Sequence, residues 1–225
     1  MSTLTYRTAE GINSAMANVY GHMSVAVLVS MLVSYFVGTT PQLLEFFFTG
    51  ILKWFVIFAP LVAIFAITVA LNAGPPKSLA VLMLHGFAAL MGLSFATIFA
   101  VYQIGSIFTA FMGAAVLFGT MSLYGYFTKK NLDSIGKFMF VGLIAIVIAS
   151  VINIFIGSSV MAMVISAIAI IVFLGLTAYD TQKIREMVMY DTDTGIAEVT
   201  GALTLYLDFI NIFLSLLQLF GDKKE

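Results

Sequence analysis

The chain has 225 residues, of which 61% are apolar and only 9% are charged, and its formal net charge is -1 at pH 7. Typical soluble domains carry about 25% charged residues, and a soluble globule of this composition would expose large apolar patches to water. The composition therefore excludes a soluble globule and a disordered chain, and the lack of a basic surplus excludes a nucleic-acid-binding domain.

Stretches without charge predict the number of membrane-spanning helices. A helix needs about 20 apolar residues to cross a bilayer core. No Asp, Glu, Lys or Arg occurs in 11–44, 54–76, 78–128 or 138–179, and the last two stretches are long enough for two spans each. The spans are apolar all round, which favours helices over a barrel. These stretches predict six helices, at 18–37, 51–72, 79–101, 105–127, 135–156 and 159–187. A seventh, at about 197–220, is unlike the others because Asp208 lies inside it.

The sequence therefore predicts an all-α polytopic membrane protein with seven transmembrane helices. Residues 1–17 are polar and lack the basic start and cleavage site of a signal peptide, so we expect a cytoplasmic N-terminal segment and a retained first helix. Residues 18–220 then form one transmembrane domain, followed by a short tail at 221–225. Since lipid is the expected solvent, the bilayer is the first expected partner, and nucleic acid is not expected.

Basic residues predict the orientation of the chain. With seven crossings, the N-terminal side carries more basic residues than the other side, so the positive-inside rule places the N-terminus in the cytoplasm. If the last segment instead re-enters and returns, the C-terminal lysines also lie inside, and that alternative stays open. The N-terminal side holds Arg7, Lys77, Lys129, Lys130, Lys137, Lys183 and Arg185, and the other side holds Lys53, Lys223 and Lys224.

The seventh predicted helix carries a carboxylate, Asp208, inside an apolar segment. A carboxylate at mid-bilayer costs roughly 2.5–3.5 kcal/mol, so it usually has a partner and a function. Polar side chains recur around it at intervals of four and three residues, which keeps one helix face polar. Such a helix is expected to be surrounded by the others, with this stripe facing a cavity, although Asn and Ser also serve as interhelical hydrogen-bond partners. The stripe consists of Thr204, Asp208, Asn211, Ser215 and Gln218.

Asp180 near the end of the sixth predicted helix is the second candidate residue. It could be an interfacial aspartate paired with Lys183, or it could meet Asp208 across the last two helices, which are neighbours in sequence. Two carboxylates in one apolar site cannot both stay charged cheaply, and they titrate as a coupled pair. They also supply oxygen ligands for calcium. Because protons and metal compete, the pair predicts a pH-sensitive cation site or gate.

Two weaker patterns are interpreted structurally. His22 and His85 lack metal-ligand spacing, and we expect them to make structural hydrogen bonds. The stretch Asp-Thr-Asp-Thr-Gly at 191–195 is similar to the start of a calcium loop, but Ala202 stands where the required Glu would be, so we expect a solvated acidic loop.

Four segments resemble the signatures of the Bax inhibitor-1 (TMBIM) family, and the short termini resemble its bacterial branch. These are Gly-Leu-Thr-Ala-Tyr-Asp-Thr-Gln-Lys at 175–183, Leu-Thr-Leu-Tyr-Leu-Asp-Phe-Ile-Asn at 203–211, Val-Tyr-Gly at 19–21 and Met-Ser-Leu-Tyr-Gly-Tyr at 121–126. The resemblance implies seven helices with the last one central, in the bacterial inner membrane. It also implies a proton-regulated calcium leak gated by Asp180 and Asp208.

The family pattern also includes an arginine near the end of the second helix that latches one aspartate in the closed state. This sequence departs from the pattern, because that segment offers only Lys77. On this reading Asp180 and Asp208 sense pH and bind calcium, and calcium is the transported ion rather than a resident cofactor. Thr177, Thr204, Asn211 and Ser215 are predicted to line the path.

Two other functions remain open on the sequence. An intramembrane aspartyl protease would also use two carboxylates that share a proton. However, the second motif here reads Tyr-Leu-Asp at 206–208 instead of the Gly-x-Gly-Asp of such proteases. The third option is a non-conducting modulator of membrane proteases or stress responses. The preferred prediction is a passive conductor and not an enzyme.

Overall fold

The computed structural model describes residues 6–191 and 194–224, and in this part of the chain it contains nine helices and no β-strand. The predicted N-terminal segment 1–17 is thus described only from Tyr6, and the predicted tail 221–225 only as far as Lys224. The helices are α1 Ala9–Gly38, α2 Pro41–Phe48, α3 Leu52–Asn72, α4 Lys77–Ser94, α5 Ala96–Val101, α6 Ile104–Phe127, α7 Asp133–Ile156, α8 Ser159–Tyr190 and α9 Ile196–Phe220.

Within the described residues, seven segments are long and apolar enough to cross a membrane, α4 and α5 counting together as one. The predicted fold class is therefore confirmed. Three details differ from the predicted bounds. The first helix begins at Ala9 instead of residue 18, so residues 9–17 belong to its first turns. The segment after α1 adds the short α2, and the third span breaks at Phe95.

The last helix, α9, is the most enclosed of the seven spans. Inside the molecule, 61% of its most apolar window is buried, against 33% or less for each of the others and none for α7. A helix surrounded by protein can carry polar side chains at membrane depth, whereas a helix that faces lipid cannot do so cheaply. This enclosure explains why the polar stripe occurs on α9.

The chain divides into two compact units. Unit 1 comprises 1–102, 186–206 and 223–225, and unit 2 comprises 103–185 and 207–222. Helices α8 and α9 each contribute residues to both units.

In unit 1, α1, α4 and the beginning of α9 pack closely through small and hydroxylic residues. A Cβ added at Gly92 would lie 2.5 Å from the backbone oxygen of Ser30, so only glycine permits this approach of α4 to α1. The Ser30 hydroxyl donates to the carbonyl of Ala88 at 2.7 Å and shares a 2.7 Å hydrogen bond with the buried Tyr206 hydroxyl. These contacts fix the first half of α9 against α1 and α4.

Also in unit 1, a proline in α3 is matched by a serine in α4. Pro60 has no N–H, so the carbonyl of Val56, four residues earlier, loses its normal helical donor. The Ser94 hydroxyl donates to that carbonyl at 2.6 Å. It also lies 3.2 Å from the carbonyl of Leu90, a back-bond of the kind that bends helices, and α4 ends at Ser94.

In unit 2, α8 lies tightly between α6 and α7. A Cβ at Gly125 in α6 would overlap the backbone of Ala178, and a Cβ at Gly136 in α7 would overlap the ring of Tyr179. Aromatic rings fill the contact between α6 and α9, where Phe209 packs edge-on against Phe111 and Phe118. These contacts fix the part of α8 around Tyr179 and the second half of α9 within unit 2.

Candidate functional site

Asp180 and Asp208 meet inside unit 2. Asp208 is only 4% exposed, and the carboxyl group of Asp180 lies within hydrogen-bonding reach of it. Among the residues that the structure describes, Oδ2 of Asp208 is buried and has no N–H or hydroxyl donor. Two carboxyl groups can form a hydrogen bond only when one of them holds a proton. The geometry is therefore that of a carboxyl pair that shares a proton.

The local sequence of α8 explains how Asp180 is held toward Asp208. Its neighbours Ala178 and Tyr179 face the glycines of α6 and α7, and Thr181 is fully buried with its hydroxyl 3.0 Å from that of Ser122 in α6. Because successive helical residues point about 100° apart, these three contacts leave Asp180 on the remaining side of the helix.

Thr177 lies one helical turn before Asp180 and also reaches the pair. Its hydroxyl donates to the carbonyl of Phe173 at 2.7 Å, and it lies within hydrogen-bonding reach of Asp208. A hydroxyl has a single proton, so while Thr177 donates to Phe173 it can only accept from Asp208. Thr177 can therefore accept from protonated Asp208, or turn from Phe173 and donate to the ionised form.

Three other residues of the polar stripe form hydrogen bonds with helix backbone or with α8. The Asn211 amide donates to the carbonyl of Leu207 at 2.8 Å, and the side chain of Gln218 accepts from Ser166 at 2.9 Å. Ser215 is buried, and like Asn211 it belongs to unit 2. Thr204 belongs to unit 1, and its hydroxyl donates to the carbonyl of Thr200 at 3.1 Å. Their role in lining an ion path stays a prediction.

No resident metal cage accompanies the carboxyl pair. Within residues 6–191 and 194–224, no group of three or more His, Asp or Glu side chains is placed to hold a metal ion. Calcium takes six to eight oxygen ligands, so two carboxyl groups alone would leave most of its ligands to water and carbonyl oxygens.

Lys77, the only basic residue in place of the expected latch arginine, is paired with Glu198. In unit 1, Glu198 is 3% exposed and accepts from Lys77 at 2.6 Å, from Arg7 at 2.9 Å and from Asn18 at 3.1 Å. Sequence reasoning missed this cluster because its members come from distant parts of the chain. The available signal was a lone acidic residue at the start of an apolar helix.

Asp191 begins the predicted acidic loop, whose Thr192 and Asp193 lie outside the described residues. Its carboxylate accepts from the hydroxyl and amide of Thr194 at 2.7 and 3.0 Å and from the amide of Ala197 at 2.9 Å. Partial burial raises the pKa of Asp191, but these donors outweigh burial and hold the pKa below its ordinary value. Asp191 therefore acts as a cap before α9, with its oxygens already occupied.

Comparisons with known proteins agree with the fold and the motifs. The family model described as "Inhibitor of apoptosis-promoting Bax1" matches residues 12–225. The inner membrane protein YbhL of Escherichia coli K12 is 40% identical over 222 residues, covering 95% of this chain and 94% of its own. An uncharacterized membrane protein of Streptococcus pyogenes, SpyM3_0260, is 35% identical, with 94% and 93% covered. The uncharacterized protein RP147 of Rickettsia prowazekii is 34% identical, with 96% and 92% covered.

Proposed function

The chain belongs to the Bax inhibitor-1 family of polytopic membrane proteins, and from that premise we propose that it is a passive, pH-sensitive leak for cations, with calcium as its main cargo. The observation that carries the proposal is the pair formed by Asp180 and Asp208, whose carboxyl groups lie within hydrogen-bonding reach while the buried Oδ2 of Asp208 has no hydrogen-bond partner among the described residues. A membrane like that of YbhL, the bacterial inner membrane, is the proposed location.

The chemistry follows from competition between protons and cations for the same oxygens. Two carboxylates in an apolar site lose their protons in two separate steps, because the second charge is repelled by the first. The doubly ionised pair attracts a divalent cation, and added protons displace it. Asp180 and Asp208 are thus the proposed pH sensor and calcium ligands.

The change in charge is proposed to shift α9 between two arrangements. Thr177 supports such a step, because its hydroxyl accepts from protonated Asp208 and can turn to donate to the ionised form. Thr204, Asn211 and Ser215 are the proposed lining of the ion path. Each of these side chains can offer an oxygen to a partly hydrated cation.

The proposal is tested by calcium flux into liposomes that contain the purified protein, measured over a series of pH values. We expect Asp180→Asn and Asp208→Asn to weaken the pH dependence of flux and to shift its midpoint, since each leaves one carboxyl group that titrates without its partner. Glu45→Gln is the matched control, because it removes one carboxylate from the exposed face of α2 and is expected to leave the profile unchanged. Calcium flux with the original pH dependence in both Asn variants would overturn the mechanism.

The alternative of an intramembrane aspartyl protease has less support. Two carboxyl groups that share a proton are compatible with it. However, none of the names of the relatives given above mentions an enzymatic activity. Cleavage of a membrane substrate that needs both aspartates would favour this alternative, and a pull-down from detergent would detect partners expected of a non-conducting modulator.

A further inference from the structure

The two histidines of the chain, 63 positions apart in sequence, come together in unit 1. The rings of His22 in α1 and His85 in α4 lie 6.2 Å apart between centroids, at an interplanar angle of 65°. Nδ1 of His85 is 2.8 Å from the carbonyl oxygen of Val81. A carbonyl only accepts hydrogen bonds, so the proton of a neutral His85 ring is on Nδ1 and its Nε2 carries a lone pair.

Among the described residues, no hydrogen-bond donor reaches that lone pair. Nε2 of His85 is buried, and among the residues that the structure describes it has no hydrogen-bond partner. A buried polar atom without a partner carries a desolvation cost, and in a native structure it usually has a function. The structural hydrogen bond expected for His85 is thus present on one nitrogen only, and the other nitrogen is placed to take up a proton.

The histidine pair borders the charge cluster around Glu198. Lys77, His85 and Glu198 are the groups that act electrostatically on His22, and they come from α4 and α9, while Arg7 reaches Glu198 from the segment before α1. Arg7 and Lys77 provide two positive charges against the single negative charge of Glu198. A proton on the histidine pair therefore adds positive charge to a cluster that already has an excess of it.

Lys77 is the member of this cluster that can respond. Its side chain is 41% exposed, against 16% for Arg7, so its ammonium group can move into water at low cost. Its aliphatic part lies against Gly195, whose φ of 66° favours glycine over a larger residue. Arg7 is more firmly held, because it also donates to the carbonyl of Asp191 at 2.7 Å.

We propose that His22 and His85 form a second proton-binding site, separate from the aspartate pair, which takes up one proton between them and thereby repels Lys77 from Glu198. The site connects acidification to the start of α9 through unit 1. Histidine is the side chain whose charge is most readily changed by mild acidification, which makes this pair the candidate for a proton-binding site. The inference does not require that the chain conduct ions.

The coupling of the two histidines is tested by NMR of the full chain in lipid nanodiscs with isotope-labelled histidine. Only two ring signals are present, and His22→Gln and His85→Gln assign them. We expect that loss of either histidine moves the titration midpoint of the other by about one pH unit, the size expected for strongly interacting groups. Midpoints that stay unchanged in both variants would overturn the proposal, and because coupling is reciprocal, one well-folded variant is sufficient.

The effect on Lys77 is followed through its side-chain nitrogen signal, assigned with Lys77→Gln. In the original chain this signal is expected to shift over the same pH range in which the histidines titrate. In a double His22→Gln and His85→Gln variant it is expected to stay constant over that range. A Lys77 shift that persists without the histidines would contradict the proposed link, while Glu45→Gln, which leaves both histidines in place, is the control and is expected to retain it.

Discussion

At the scale of single residues, the cap formed by Asp191 makes the beginning of α9 sensitive to acid. Replacing a capping aspartate by alanine typically costs about 0.5–2 kcal/mol. We expect Asp191→Ala to lower the free energy of unfolding by an amount in this range, and Asp191→Asn to lower it less, because an amide oxygen still accepts from backbone N–H groups. Thermal or denaturant unfolding of the protein in detergent measures both effects.

The pH dependence of this cap has a definite sign. Because the pKa of Asp191 lies below its ordinary value in the folded chain, the unfolded chain binds the proton more tightly. The stabilisation is complete at neutral pH and is lost as the pH falls through about 4 and below. The difference in unfolding free energy between the original chain and Asp191→Asn should therefore shrink in acid, and a difference that grows instead would contradict the cap.

The sequence predicted the aspartates of the candidate site but not the charge cluster. Asp180 and Asp208 stand out because a carboxylate in an apolar helix is costly and needs a reason. Glu198, Lys77 and Arg7 each lie at the edge of an apolar stretch, where charge is ordinary. Only the folded chain brings them together, so their pairing could not be predicted from spacing.

At the scale of helices, the hydrogen bond from Ser94 in α4 to the Val56 carbonyl that Pro60 leaves without a donor in α3 predicts that substitutions at 60 and 94 are not additive. Ser94→Ala leaves the buried carbonyl of Val56 without a donor, which typically costs about 1–3 kcal/mol. In a Pro60→Ala background the restored N–H of residue 60 can donate to that carbonyl, so the same serine substitution should cost much less. Equilibrium unfolding of the four variants gives the coupling energy, and equal costs in both backgrounds would contradict the interpretation.

The close approach of α6 to α8 at Gly125 predicts a steric effect beside the candidate site. Gly125→Ala places a Cβ on the backbone of Ala178 and is expected to destabilise the protein by about 1–3 kcal/mol. Gly119→Ala is the matched control on the same helix, since no other atom lies within 4 Å of its added Cβ. The control should be neutral or slightly stabilising. Thermal unfolding in detergent compares the two, and a similar loss in both would contradict the packing argument.

Charge gaps were sufficient to predict six of the seven long helices, since only apolar segments of that length are stable in lipid, and the seventh was predicted from its apolar length although Asp208 lies inside it. They could not predict α2, because a short apolar segment such as 41–48 is equally compatible with a loop or with a continuing span. The break at Phe95 also escaped prediction, since it depends on where Ser94 finds its acceptors.

At the scale of the whole molecule, seven crossings predict which ends of the helices share a side of the membrane. The chain contains no cysteine, so single cysteines can be introduced one at a time and labelled from outside intact cells. We expect a cysteine at Lys53 to be labelled, and one at Lys129 to be protected until the membrane is permeabilised. The prediction places the N-terminus in the cytoplasm.

A cysteine at Lys224 decides between a full crossing and a re-entrant last segment. Helix α9 has 25 residues and so extends about 37 Å, which is enough for a core of about 30 Å. We therefore expect labelling from outside at Lys224. Protection there, together with labelling at Lys53, would support the re-entrant form instead.

The hydrogen bond from the Ser94 hydroxyl in α4 to the carbonyl of Val56 in α3 also restricts the order in which substitutions can accumulate in related sequences. If Pro60 is replaced first, the Val56 carbonyl stays hydrogen-bonded, because the new backbone N–H of residue 60 can donate to it. Position 94 can then change without leaving that carbonyl unsatisfied. A lineage that replaces Ser94 first passes through an intermediate with an unsatisfied carbonyl at membrane depth. Across descendants of this sequence, proline at position 60 without a hydroxyl donor at position 94 should therefore be the rarest of the four combinations.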